Sequence, residues 1–357
     1  MNTDLSAEAV EYGTTVRRVL EAAGGDALST APSAGAAVDS ADAADAAAKV
    51  LGDVGAWDLD PRGTVEELEA AAALCRSAGW WAVPHPVAER LARPRDVEAD
   101  ALVVVAGSRS ASGASVGDGA GGGGSVGDGA VGAGSVGDGA DGARSVGAGS
   151  AGAIGEALAG LRLRWVAVDL DGRRSRATPR AVESPVGKPG LTRPLDLAPL
   201  DEAGAADVAL GVALPCWTLL GMLDRAVDLT SAYVRERHQF GQPLSSFQGV
   251  QFQLTDAEVE RLGVEELAKH ALWSIASGQP DALVDALALR LAAVEAAEVV
   301  FRITHQLHGA IGFCDETALS WLSRASQPIR RLPLGPSATR AALTARLGSR
   351  GLTGLFS

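Results

Sequence analysis

Arg235-Glu236-Arg237-His238-Gln239-Phe240-Gly241-Gln242-Pro243-Leu244-Ser245-Ser246-Phe247-Gln248 is the stretch on which the fold turns. It closes one apolar helical run, bends at Gly241-Gln242-Pro243 and opens a second helix at Phe247 and Gln248. Upstream, Leu210, Leu214, Leu219, Leu220, Leu223, Val227 and Val234 recur near helical spacing between Val208 and Arg237. Downstream, Val250, Leu254, Leu262, Leu267 and Ala271 do the same from Gln248 to about Ser277. Ala282 to His308 is rich in Ala, Leu and Val, with Arg290, Glu295 and Glu298 interspersed, and shorter helices are expected from Thr317 and Ala338. Long apolar-striped helices joined by short connections bury their stripes by packing antiparallel, so a bundle is expected here.

Residues up to about Pro94 also read as helices. Leu5, Val10, Val16 and Leu20 form one apolar set, and Ala36–Leu51 is Ala-rich with Asp39, Asp42 and Asp45. Thr64-Val65-Glu66-Glu67 has the spacing of a capping box, in which Thr64 and Glu67 satisfy each other's backbone N–H groups. Ala101-Leu102-Val103-Val104-Val105 then has strand character, and Leu161 to Asp169 alternates apolar and polar residues before a turn at Asp171-Gly172. Pro185, Pro189 and Pro194 mark loops. Between the two strand signals, Ser-Val-Gly-Asp-Gly-Ala begins at Ser115, Ser125 and Ser135, with a decayed copy at Ser145. Side chains this small offset little of the entropy lost on ordering, so a surface loop is expected rather than a calcium-binding β-roll. The expected layout is helical over 1–95, a small β region over 96–203 with a glycine-rich insert at about 106–153, and a helical bundle over 204–357.

A guanidinium such as Arg237 can hold a pyrophosphate bidentately, and Gln248 can bond a sugar hydroxyl. Phe240 offers a flat face, while Gly241 permits a sharp turn. Taken singly, these residues also fit an ordinary interhelical turn. A second dense segment follows at Gln306-Leu307-His308-Gly309-Ala310-Ile311-Gly312-Phe313. His305 and His308 sit three apart without the Cys or carboxylate set of a metal site, which favours hydrogen-bonded helix-end histidines over ligands.

The string Arg-x-x-Phe-Gly-x-Pro-Leu-x-x-Phe-Gln together with the Gln306–Phe313 segment resembles the flavin-binding signature of the acyl-CoA dehydrogenases. The resemblance covers about Val208 to Leu347. It implies a mainly α fold with a helical N-terminal domain, a middle β domain and a C-terminal four-helix bundle. By the same resemblance the cofactor is FAD, contacted by Arg237, Gln239, Phe240 and Gln248. Gln306, Gly309 and Ala310 then match a segment that meets the flavin's adenosine end across a subunit interface. Ala310 stands where many members carry a second glycine.

Two family features have no counterpart. The Thr-Glu-Pro-x-(Ala/Gly)-Ser-Asp segment that lines flavin and thioester is absent between Trp80 and Ser115 and after Ala151. The reaction also removes an α-proton with a carboxylate while hydride leaves Cβ. The two places where the family keeps that carboxylate are occupied here by Gly211 and Leu334. The resemblance is thus to the non-catalytic chain of the heteromeric acyl-CoA dehydrogenases of actinobacteria, beside a second subunit that supplies the glutamate for an acyl-CoA substrate. The alternative is a scaffold that keeps the bundle and binds no flavin. On the first reading, a carboxylate introduced at Gly211 or Leu334 is expected to change little, because the rest of the pocket is missing.

Composition narrows the remaining classes. A net charge of −13 disfavours nucleic-acid and anionic-membrane partners. No run of uninterrupted apolar residues is read as a membrane span. Cys75, Cys216 and Cys314 show no metal or disulfide spacing, which suits a reducing cytoplasm. From Thr317 onward there is no Asp or Glu, while Arg324, Arg330, Arg331, Arg340, Arg346 and Arg350 crowd together. Solvated helix faces and a phosphate-rich or acidic neighbour explain that asymmetry equally well.

Overall fold

A computed structural model describes residues 3–28, 40–107, 152–181 and 191–348. The glycine repeat, Pro185, Pro189 and Arg350 lie outside the described residues, as do the first residues of the Ala36–Leu51 run.

Four helices come first: α1 (Ala7–Ala22), α2 (Ser40–Asp53), α3 (Val65–Trp80) and the short α4 (Val87–Leu91). Thr64 Oγ1 accepts the Glu67 N–H at 3.2 Å, but the Glu67 carboxylate accepts from the Asp60 N–H at 3.3 Å. Only half of the expected capping box forms, because the preceding turn brings Asp60 within reach. The buried face of α1 is Ala9, Gly13, Val16 and Leu20, and Val10 points to solvent.

Next come β1 (Ala101–Val105), β2 (Ala153–Gly155), α5 (Glu156–Ala159), β3 (Trp165–Asp169), β4 (Arg173–Pro179) and β5 (Thr192–Ala203). They form one sheet in the order β1-β3-β4-β5-β2, in which β1 and β3 run parallel and the other pairs antiparallel. The alternation read over Leu161–Asp169 predicts one wet face. Instead every residue of β3 is buried. Val166 and Val168 join the main core with Leu102 and Val104, while Trp165 and Ala167 join a second core with Ala101, Val103 and Val105. Pro194, expected in a loop, lies within β5 opposite Ala153 of β2, which is the edge strand. An imino residue is tolerated near a sheet edge, where few ladder bonds are lost.

The last helices are α6 (Ala205–Glu236), α7 (Gln248–Ala276), α8 (Ala282–His308), α9 (Ala318–Arg331) and α10 (Pro336–Gly348). Between α6 and α7, β6 (His238–Gln239) and β7 (Gln242–Pro243) make a miniature hairpin. By length and composition α6 can cross a membrane, with a window of mean hydropathy 1.6, contrary to the sequence reading. In the fold 78% of that window is buried, so its apolarity serves the core: α6 packs against α3, α7, α8 and α9. The α3–α6 crossing is set by glycines. A Cβ on Gly79 would lie 1.9 Å from the Thr218 carbonyl oxygen, and one on Gly221 the same 1.9 Å from that of Arg76.

Two ion networks tie α6 to its surroundings. Asp207 receives Arg62 and Arg174, each at 2.6 Å, and Arg174 also reaches Asp96 at 2.6 Å. Deeper in the bundle, Arg76 and Arg261 share Asp224 and Glu265 over 2.6–3.0 Å. Burial pushes the Glu265 carboxyl up, but the two guanidinium groups outweigh it and hold it at about 2. An unfolded glutamate titrates near about 4.3. The native state therefore gains stability from this group above that value and loses it as pH falls toward 2. Glu265→Gln should flatten the stability–pH curve between roughly pH 4 and 2, as read by denaturant titration, and an unchanged slope would show that other groups govern acid unfolding.

Candidate functional site

The connection between α6 and α7 is built by backbone constraints. Arg237 caps α6 through its N–H to the Tyr233 carbonyl at 2.9 Å, and its own carbonyl accepts from the Leu244 N–H at 2.8 Å. Gln239 and Gln242 pair across the hairpin, leaving Phe240 and Gly241 as its two-residue tip. Both tip residues have positive φ, 53° and 80°, the signature of a type I′ turn, which matches the strand twist. Glycine is natural there and phenylalanine is not.

The side chains so displayed are exposed. Phe240 is 91% exposed, resting only its edge on Phe247 with centroids 6.3 Å apart. Arg237, Gln239 and Gln248 are exposed, and Arg237 forms no ion pair among the described residues. A large ring held in a strained conformation with nothing packed on it marks a surface adapted to something other than this chain's own core. Phe240→Asn should therefore stabilise the isolated chain by about 1 kcal/mol, since Asn tolerates this conformation. It should also weaken whatever docks there. Equal denaturation midpoints for the two proteins would deny the strain.

The second predicted segment lies at the end of α8 and in the 3-10 turn Gly309–Phe313. Gly309 has φ 64° and ψ −146°, a region essentially closed to L residues, so this glycine is required by the backbone. Ala310 lies within the 3-10 turn and is exposed, so its methyl is accommodated. Gln306 is exposed one turn earlier. The two segments are brought together by a contact the sequence did not reveal: Tyr233 stacks on His308 with centroids 4.4 Å apart, and its hydroxyl lies 3.4 Å from the His308 carbonyl. His308 Nδ1 is engaged by the Thr304 carbonyl at 2.9 Å, and burial lowers the pKa of the ring. His305 stacks on Phe313 at 4.5 Å. Both histidines are thus occupied as aromatic packing.

The two places where a base was sought are structural. Gly211 lies where α6 crosses β1, and a Cβ there would meet Val104 Cγ2 at 2.7 Å and Leu102 Cδ2 at 2.8 Å. The expectation that Gly211→Glu changes little is therefore corrected, since not even a methyl fits. At Leu334 the backbone carbonyl accepts from Arg290 Nη2 at 2.8 Å, and that same nitrogen reaches the Ile329 carbonyl at 3.1 Å. Arg290 is 1% exposed, burial lowers its pKa, and its hydrogen-bond partners here are carbonyls of the α9–α10 connection. It fastens that loop to α8.

Residues 211–346 match the family model described as acyl-CoA dehydrogenase, C-terminal domain. The C-terminal bundle belongs to the acyl-CoA dehydrogenase family. Curated relatives include 3-sulfinopropanoyl-CoA desulfinase of Paraburkholderia xenovorans, 34% identical over 123 residues, or 34% of this chain and 28% of the relative. Another is acyl-CoA dehydrogenase FadE28 of Mycobacterium tuberculosis, 32% identical over 126 residues, or 35% of this chain and 37% of the relative. The matches thus span about a third of these curated relatives. Among solved structures, a chain of the ChsE4-ChsE5 complex from Mycobacterium tuberculosis superposes with a TM-score of 0.67 at 16% identity, covering 98% of this chain and 100% of that one. The glutaryl-coenzyme A dehydrogenase complexed with glutaryl-CoA gives 0.63 at 15% identity, covering 98% of each. The chain has the acyl-CoA dehydrogenase fold, mainly helical with one small sheet.

The residues present fit one wall of a flavin site. The unpaired Arg237, the exposed Phe240 ring and the exposed Gln248 amide suit a phosphate, a flat ring and a sugar, but all lie on an open surface. The cleft nearest to this region, about 570 Å³ in volume, runs beside α8 and touches Gln306 and Gly309 but neither Arg237 nor Gln248. A second surface must close the site.

Proposed function

We propose that this chain is one subunit of an FAD-dependent acyl-CoA dehydrogenase, completing the flavin site while a different subunit supplies the catalytic glutamate and most of the acyl pocket. The observation that carries the proposal is the contrast between its two kinds of position. The flavin-facing residues of the α6–α7 connection are displayed, unpaired and strained, whereas Gly211 and Leu334 are given over to packing. A chain under no demand to bind would not hold Phe240 at φ 53° in solvent. The ChsE4-ChsE5 complex, by its name an assembly of two components, shares this fold, and a similar pairing is proposed here. The proposal includes the division into 1–95, 96–203 and 204–357, and a cytoplasmic location.

In such an assembly a bound flavin supplies the hydride acceptor. This chain's part is to orient: Arg237 neutralises phosphate charge, Phe240 covers a ring, Gln248 bonds a hydroxyl, and Gln306 with Gly309 meets the adenosine end. The partner's carboxylate takes the α-proton. The test is purification with and without a co-expressed acyl-CoA dehydrogenase partner, reading flavin absorbance and turnover of an acyl-CoA panel with an artificial electron acceptor. Flavin and turnover are expected only in the mixed assembly. Robust turnover by this chain alone would overturn the division of labour, and no flavin in any assembly would leave a scaffold.

A further inference from the structure

The Arg-rich, acid-free end of the sequence sorts itself in the fold. Arg324 pairs with Asp315 at 2.7 Å, Arg340 pairs with Glu295, and Arg346 reaches the Leu170 carbonyl at 2.6 Å and Asp171 at 3.7 Å. Arg330 is different. No carboxylate lies within ion-pairing distance of it among the described residues, its Nε is buried without a hydrogen-bond partner, and its guanidinium lies 5.8 Å from the centroid of the Phe301 ring. Burial lowers its pKa, which is the cost of holding this charge without a counter-ion.

Arg330 lines the 570 Å³ cleft between α8 and α9, and so does a second unpaired guanidinium, Arg302. Glu298 stands one helical turn before Arg302, at a spacing that permits an ion pair, yet the two do not form one. Ser323 and Gln306 add a hydroxyl and an amide to the same wall. Phe313 closes one end, 69% exposed and stacked on His305 through one face. At about 100° per residue, the cleft-facing side of α8 lies roughly a quarter-turn from the His308 side that meets Tyr233. The cleft is therefore separate from the α6–α7 hairpin.

We propose that this cleft binds the adenosine-phosphate portion of a nucleotide, with Arg302 and Arg330 as a two-pronged phosphate clamp, Ser323 and Gln306 bonding phosphate or ribose, and Phe313 as the platform for the base. Two guanidinium groups with no intramolecular anion, facing one space of ligand size, call for a multiply charged anion. An exposed aromatic face beside them selects one that carries a flat ring. Glu298 at the rim is an acceptor for a ribose hydroxyl or an exocyclic amino group. The proposal rests on reading the bundle as a nucleotide-cofactor contact, and adds residues that the signature segments do not contain. Flavin and coenzyme A both carry this portion, and the position of the phosphates tells them apart.

The test uses the full chain, titrated calorimetrically with ADP and separately with adenosine 3′,5′-bisphosphate, comparing wild type with Arg302→Gln and Arg330→Gln. Saturable binding that weakens about tenfold or more in each variant is expected, since each removes a charge-assisted contact. Added salt should weaken binding by the wild type more than by either variant. Preference for ADP assigns the cleft to a flavin-type nucleotide, and preference for the 3′,5′-bisphosphate to coenzyme A. Arg302 is exposed, so its variant tests the clamp even if Arg330→Gln perturbs the fold. Absent binding of either probe, or equal binding by wild type and Arg302→Gln, overturns the proposal. The broader reading fails separately, by absence of flavin from every assembly while both probes still bind here.

Discussion

Arg237→Ala is expected to leave the assembled complex with most of its flavin lost while the isolated chain melts where the wild type does. The two halves of that expectation come from different parts of one residue. The backbone of Arg237 is structural: its N–H closes the last turn of α6 on Tyr233, and its carbonyl anchors Leu244. Alanine keeps both bonds. The side chain is exposed and forms no ion pair within the described chain, so removing it leaves no buried partner orphaned. What it removes is a guanidinium able to grip a pyrophosphate with two parallel hydrogen bonds. A charge-assisted contact of this kind contributes about 1.5–3 kcal/mol, or roughly ten- to a hundredfold in flavin affinity. The measurement is flavin absorbance per mole of purified complex, with a thermal melt of the free chain beside it. Full flavin occupancy in the variant would remove Arg237 from the site, and a large loss of melting temperature would mean that the side chain is structural after all.

Elements governed by local chemistry were legible in the sequence, and those governed by distant partners were not. The start of α7 at Gln248 and the end of α8 at His308 fall where apolar periodicity, Gly241-x-Pro243 and Gly309 place them. The signature residues themselves could be named because they share short, dense segments. Tyr233 on His308 could not, since the two are 75 residues apart and an aromatic pair has no spacing rule. The β3 strand misled for a related reason. Its alternation is real, but it sorts side chains between two cores rather than between core and water, and only the burial of both faces reveals that. Pro194 reads as a loop residue until β2 is seen to be the sheet edge. The α8–α9 cleft joins Arg302 to Arg330, which the sequence shows only as members of separate helices.

Gly211→Glu is expected to cost about 3 kcal/mol of stability or more and to yield no dehydrogenase activity in the isolated chain. Gly211 is where α6 comes close enough to β1 for an added methyl to fall 2.7 Å from Val104 Cγ2 and 2.8 Å from Leu102 Cδ2. Both partners belong to the main core, 4% and 1% exposed, so neither can swing aside into solvent. Alanine alone must then push helix and strand apart, at about 1–3 kcal/mol. Glutamate adds a carboxylate against an aliphatic surface, where it must stay protonated or tear the contact open. Denaturant titration of wild type, Gly211→Ala and Gly211→Glu should give stabilities falling in that order, with the first step already resolved. That first step is the discriminating one, because a cleft shaped for a catalytic acid and merely lacking it would accept a methyl without loss. Stability of both variants equal to wild type, together with turnover gained by the glutamate form, would show that room for a base persists beside β1 and would return the chemistry to this chain.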